Sequence, residues 1–162
     1  MTLHRSIALF GVMLIGAMGA TAQSRAKKAD DPDTKEIRDY RLNMDVVQKY
    51  IRAFNIATGD AAAKKCFDNN PPGNAPTLDA GEKLMNACPA AIADLKTAGI
   101  KPREFLIVTA ALIGDFMMVG MKKSGTIKEY PAAAISPENA AFIEQNYDKL
   151  QTMLAPLTSN SK

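Results

Sequence analysis

Residues 105–121 read F-L-I-V-T-A-A-L-I-G-D-F-M-M-V-G-M and form a long apolar run with a single charge, Asp115. Pro102 at the first helical position and Glu104 at the third are typical of a helix start. Two lysines and a glycine after the run are equally typical of a helix end. The sequence therefore predicts one central apolar helix over about residues 102–123, around which the rest of the chain folds.

This central helix is better suited to a protein core than to a membrane. Seventeen residues at a rise of ~1.5 Å reach roughly 26 Å, which is short of the ~30 Å hydrocarbon layer. On a helical wheel Asp115 falls beside Glu104 and Lys122, so it is predicted to face water, with Leu112 and Phe116 deep in the core. The functional alternative for Asp115 is a buried carboxylate whose raised pKa suits acid or base chemistry.

The first twenty-two residues have the pattern of an export signal. A basic start is followed by an apolar centre at residues 7–19 and by Ala20-Thr21-Ala22, an A-x-A cleavage site. The apolar centre is too short to stay as an anchor. We therefore expect residues 1–22 to be a signal peptide, and a periplasmic or secreted protein that begins at Gln23 and carries no transmembrane anchor.

Removal of the signal would also remove His4, the only histidine of the sequence. Without histidine the mature chain cannot form a Ser-His-Asp triad, a Cys-His dyad or a His-ligated zinc or haem site. The 20 basic residues lose Arg5, which leaves 19 against 17 acidic ones. This near balance does not favour nucleic-acid binding, and nothing in the sequence calls for a cofactor.

Cys66 and Cys88 are the two cysteines of the chain. An even count in an exported protein favours one disulfide, and closing a loop of this length contributes roughly 3 kcal/mol to stability. Their spacing fits neither a C-x-x-C redox pair nor a haem attachment site, and two ligands do not complete a zinc site.

Periodicity and composition predict an all-α fold, a single-domain bundle of about four to five helices. Residues 23–42 are rich in charges of both signs and are predicted to be a flexible tail. Residues 43–156 are predicted to form the helical domain and residues 157–162 a disordered C-terminus, because Pro156 disfavours further helix. Helix starts are predicted near Asn43, Asp60, Thr77 and Ser136.

Met117, Met118 and Met121 are the only constellation with metal chemistry to consider. Helical spacing brings three thioethers close together, and thioethers select Cu(I). The competing interpretation is that they fill an irregular helical core, which is the commoner role of methionine.

A second candidate site is a cavity inside the bundle. Ala110, Ala111 and Gly114 are small residues at its centre and could leave room for an apolar ligand between helices. Small residues at such positions more often let helices approach closely.

The segments K-P-R-E-F at 101–105 and S-P-E-N-A-A-F at 136–142 resemble those of a group of small exported helical bacterial proteins of unassigned function. In that group a G-[IL]-x-P-R-E-[FY] helix start and a later N-P-x-N-V-x-F-like segment recur. The resemblance covers roughly the last third to half of the chain, and it implies the fold and an exported bacterial context. It implies no catalytic or binding residue.

Three classes of function remain after these exclusions. The favoured one is a non-catalytic exported interaction or structural module with an unidentified protein or envelope partner. The second is a binder of an apolar small molecule or Cu(I) within the bundle. The third is an enzyme that works without histidine, using carboxylates, Lys, Tyr or the cysteines.

Overall fold

The computed structural model describes residues 31–68 and 71–159, so the predicted signal peptide lies outside the described residues. Within these ranges the chain forms seven α-helices and one 3-10 turn, without strands. The helices are α1 (Pro32–Asp39), α2 (Met44–Gly59), α3 (Ala61–Phe67), α4 (Leu78–Asn86), α5 (Pro89–Ala98), α6 (Pro102–Lys123) and α7 (Pro137–Ser159), and the 3-10 turn is Pro72–Asn74. The all-α class is confirmed.

Local capping sets most of these helix boundaries. The side chains of Asn43, Asp60 and Thr77 accept hydrogen bonds from backbone N–H groups in the first turns of α2, α3 and α4, at 3.1, 2.7 and 3.1 Å. Pro89 begins α5, and Gly99 ends it with a left-handed φ of 77°. These contacts involve neighbouring residues, which is why the sequence predicts them well.

Helix α6 is central, as predicted, and contacts α1, α2, α4, α5 and α7. Leu112 is fully buried in its middle, together with Val108 and Val119. The deep burial predicted for Phe116 is wrong. Its ring is only half-buried and stacks on Tyr147, with the ring centroids 4.7 Å apart.

By length and composition α6 would also suffice to cross a membrane, with a mean hydropathy of 1.7 over its most apolar window. Only 39% of that window is buried inside the protein. One side of α6 therefore packs in the core, and apolar residues on its other side stay outside the core.

The predicted disulfide is present. Cys66 on α3 and Cys88 before α5 are bonded, with Cα atoms 5.9 Å apart. Cys88 is buried against Ala63 and Ala91. The bond thus joins α3 to α5 across the proline-rich connection that precedes α4.

Two predicted domain boundaries are wrong within the described residues. Residues 31–42, predicted as part of a flexible tail, contain α1 and pack on the bundle, because contacts from distant parts of the chain hold them. Helix α7 continues through Pro156 to Ser159, beyond the predicted end of the domain. Proline removes one N–H donor there but keeps a helical φ, so the last turn persists. We call residues 31–42 the N-terminal arm.

Candidate functional site

Asp115 does not face water, so this prediction is wrong. It is 4% exposed, and its Oδ2 accepts a hydrogen bond of 2.9 Å from Nδ2 of Asn139. None of the ion pairs between described side chains includes it. Burial raises the pKa of Asp115 to about 6, and the bond from Asn139 offsets this only in part. A carboxylate of this kind is the alternative that the sequence left open.

Asn139 connects α7, α6 and the N-terminal arm. Its Oδ1 accepts from the Leu42 backbone N–H, and its Nδ2 donates to the Tyr40 carbonyl as well as to Asp115, all at 2.9 Å. The side-chain amide thus forms two hydrogen bonds with the backbone of residues 40–42, at the end of the arm, as a neighbouring strand would. When ionised, Asp115 is an acceptor only and therefore pairs with Nδ2 of Asn139 and not with Oδ1, which favours the amide orientation that fits the arm. We call this arrangement the Asn139 clasp.

The errors at Asp115 and at the arm have one cause. The helical wheel placed Asp115 on an outward face, but in the fold this face meets Asn139 of α7, the residue that also holds the arm. Asn139 is the key residue that sequence reasoning missed. The sequence feature that could have identified Asn139 is its position four residues before Ile143, because this spacing places its polar side chain on the buried face of α7.

Arg103 is a second anchor for the arm. Its Nε and Nη2 donate to the two carboxylate oxygens of Glu36 at 2.9 and 2.6 Å, a bidentate pair between α6 and α1. The same guanidinium also pairs with Asp79 and Glu82 of α4. The hydrogen bond from Arg103 lowers the pKa of Glu36. Three carboxylates share this one cation, which leaves two negative charges in excess.

Two more polar contacts hold the arm. The Tyr40 hydroxyl donates to Glu104 at 2.7 Å, and Asp33 accepts from the backbone N–H of Leu78 at 2.8 Å. Burial and the bond to Glu104 raise the pKa of Tyr40. Arg103 and Glu104 belong to the segment interpreted above as a helix start, and Asn139 to the second segment. Residues in the two segments that the sequence analysis treated as helix starts therefore also hold the arm in place.

A groove lies beside the arm on the outer face of α6, and we call it the α6 groove. Its volume is about 500 Å³, and it is bordered by α1 and by the connection that leads into α4. Ile113 and Met117, one turn apart in its floor, are large apolar residues that are 48% and 60% exposed. A Cβ placed on Gly114 would meet no atom within 4 Å, so the floor is open between them.

The predicted cavity residues divide between core and surface. Ala111 is buried, whereas Ala110 and Gly114 are exposed and line the α6 groove. The small residues thus contribute to an external groove, which is a different place from the interior of the bundle. Close packing of α6 is provided by Ala111 on its other side.

The methionine trio is not a uniform core cluster. Met117 is exposed, and Met118 and Met121 are half-buried, so the core interpretation is wrong for Met117. No group of three or more His, Cys, Asp or Glu side chains is placed to hold a metal ion in the part of the chain that the structure describes. Cu(I) binding by the thioethers stays a prediction.

A second buried carboxylate, Asp94 on α5, is 9% exposed, and its Oδ2 has no hydrogen-bond partner among the described residues. Burial raises its pKa, and the nearby charge of Asp60 acts in the same direction. Both carboxylates therefore destabilise the folded state when they are ionised, and this cost decreases as the pH falls and they become protonated.

The chain matches no family model, no curated protein and no solved structure in the comparisons. The site is therefore interpreted from its own geometry.

Replacement of Asp115 by Asn is expected to raise the free energy of unfolding by about 1 to 3 kcal/mol at pH 7.5, since a pKa raised by roughly two units costs nearly 3 kcal/mol when the group is ionised. The folded pKa lies above the unfolded one, so the cost is complete above pH 6 and vanishes below about pH 4. Urea unfolding at pH 7.5, 5 and 4 would measure a gain that shrinks as the pH falls.

Asp148→Asn, at an exposed position of α7, is the matched control and is expected to change stability by no more than about 0.5 kcal/mol. A gain at Asp115 that is independent of pH, or a loss at pH 7.5, would contradict the assignment of a strained carboxylate.

Proposed function

We propose that this protein is a non-catalytic exported interaction module and that it binds a partner through the α6 groove. The observation that carries the proposal is the exposed pair Ile113 and Met117 in the floor of that groove. Single exposed apolar residues are common on protein surfaces, but grouped ones in a concave site mark binding surfaces. The disulfide supports export, because such bonds persist in oxidising compartments.

The buried polar residues support a structural role for the clasp better than a catalytic one. Asp115 does not line the α6 groove, and its carboxylate accepts a hydrogen bond from Asn139. A general acid or base must come within hydrogen-bond distance of its substrate. The carboxylate is instead buried and bonded to Asn139, which also holds the N-terminal arm, so we assign it to the clasp.

An apolar small molecule is the second candidate occupant of the groove. Its volume of about 500 Å³ falls within the ~300–1,000 Å³ range of small-molecule sites, which favours this alternative specifically. The groove is open, however, and would leave much of such a ligand in water. A partner polypeptide covers an open groove more completely.

Site-specific photo-crosslinking in the native host tests the proposed function. A photoreactive side chain at position 113 or 117 should give defined adducts, whereas one at exposed Lys149 on α7 should not. Gly114→Leu should abolish these adducts, because the new side chain fills open space in the groove floor. Equal adducts at Lys149, or adducts unchanged by Gly114→Leu, would overturn the assignment of the groove.

A further inference from the structure

We propose that the partner of the α6 groove is an apolar helical segment that carries basic residues at the end facing the N-terminal arm. The inference rests on the proposed function and adds the chemistry of the partner. It follows from three properties of the groove, which are its charge, its floor and its borders.

The charge at one end of the groove is negative. Among the residues that the structure describes, the groove is lined by Asp31 and Asp33 and by no lysine, arginine or histidine. Both carboxylates already accept backbone N–H bonds, at Thr34 and at Leu78, but each retains a second oxygen toward which a cation can move. The three carboxylates that share Arg103, those of Glu36, Asp79 and Glu82, add a net negative charge next to them. Charge complementarity thus calls for a cation at this end.

The floor of the groove suits the close approach of a helix. Ala110 and Gly114 lie one turn apart and leave the α6 backbone accessible between the larger side chains of Ile113 and Met117. Small residues flanked by large apolar ones allow a second helix to interdigitate its side chains. Recognition of this kind uses apolar anchors spaced one helical turn apart on the partner.

The borders of the groove argue against a flat partner surface. The arm stands on one side, and the 3-10 turn with the following residues Ala75 to Thr77 stands on the other. A lipid surface would have to enter between these two walls. Anionic headgroups would also meet Asp31 and Asp33, whose like charge opposes them. A rod-shaped polypeptide segment fits the walls and the charge together.

Two synthetic peptides test the proposal on the folded protein. Each is a 16-residue helix former with a Leu/Ala face and a Gln face, and one ends in two lysines where the other ends in two glutamates. Fluorescence anisotropy at low salt should give a Kd about tenfold lower for the lysine peptide. The preference should shrink at high salt, because the charges at the rim are exposed to solvent.

Three variants connect this preference to the groove. Gly114→Leu should raise the Kd of the lysine peptide at least tenfold, whereas Gly59→Leu, at an equally open position on α2, should leave it unchanged. The double variant Asp31→Asn with Asp33→Asn keeps both acceptors for the backbone N–H groups, since Asn is an equivalent cap. It should remove most of the preference for lysine while the thermal midpoint stays within a few degrees.

Several outcomes would overturn the inference. Equal affinity for the two peptides, or no binding of either, would do so, and so would lysine-peptide binding that Gly114→Leu leaves intact. Vesicle binding in place of peptide binding would assign the groove to lipid, and a dimer that Gly114→Leu dissociates would assign it to a second copy of this chain. If the crosslinks at position 113 survive while the charge preference is absent, the proposed function stands and this inference alone fails.

Discussion

Asn139→Ala is expected to lower the free energy of unfolding by about 3 to 5 kcal/mol at pH 7.5. The substitution leaves the Leu42 N–H, the Tyr40 carbonyl and the Asp115 carboxylate without the amide that now satisfies them. Each unsatisfied buried polar group costs about 1–3 kcal/mol, and breaking a buried interaction of a charged group costs more. Asn139 is 1% exposed, so water cannot replace the amide without opening the site.

Urea unfolding would measure this loss, and amide hydrogen exchange would locate it. The N-terminal arm should exchange much faster in the variant, because the clasp holds its backbone directly. Asn146→Ala is the matched control on the same helix. Its Nδ2 donates to the carbonyl of Phe142 within α7 and joins no distant segment among the described residues, so a cost below about 1 kcal/mol is expected.

A double-mutant cycle tests whether Asp115 and Asn139 act as a unit. In the Asp115→Asn background, Asn139→Ala should cost at least 1 kcal/mol less, because no ionised group is then left unpaired. A cost of Asn139→Ala under about 1 kcal/mol, or unchanged exchange of the arm, would contradict the clasp. So would additive effects of the two substitutions.

Leu112→Ala is expected to lower the free energy of unfolding by about 2 to 5 kcal/mol. Leu112 is fully buried in the middle of α6, where helices from both ends of the chain surround it. The substitution loses the burial of two methyl groups and the methine carbon that carries them, and it leaves a cavity that neighbouring side chains fill only in part. Thermal or urea unfolding at pH 7.5 would measure the loss.

Ile113→Ala, at the next position of the same helix, is the control for Leu112. It removes the same number of carbon atoms from a side chain that is 48% exposed, and alanine is the better helix former. We therefore expect a cost below about 1 kcal/mol. Equal costs at the two positions would mean that the outer face of α6 is buried and that the groove is closed.

The arm connects the clasp to the groove. Tyr40 and Leu42 are held by the clasp, and Asp31 and Asp33 at the other end of the arm supply the negative rim of the groove. A variant that loosens the clasp should therefore also weaken the charge preference of the groove. Under the proposed function, the buried polar residues would act by positioning the arm, and the proposal requires no contact between them and the partner.

Most of the helical framework could be predicted from the sequence. Capping residues such as Asn43 and Thr77 act on backbone groups two or three positions away, and proline and glycine act on their own dihedral angles. The central apolar helix needed only its periodicity and length. The disulfide followed from an even cysteine count, because only one pairing exists.

The candidate site could be predicted only in part. Asp115 and Gly114 were singled out as candidates, but the burial of the first and the exposure of the second were not foreseen. A helical wheel gives the angle between residues on one helix, and it cannot say which side another element will cover. Asp115 with the clasp and the groove occupy two sides of α6, and nothing local distinguishes these sides.

The sequence by itself determined where most of the helices begin and end and which cysteines pair. Those properties depend on contacts between near neighbours or on counts. Only the tertiary structure decided that residues 31–42 are ordered, that Asp115 is buried and that the outer face of α6 stays open. The bonds of Asn139 to Leu42 and Tyr40 span 97 and 99 positions. Polar groups so far apart in the chain reveal their partners only when the fold brings them together, because neither segment carries a local pattern that depends on the other.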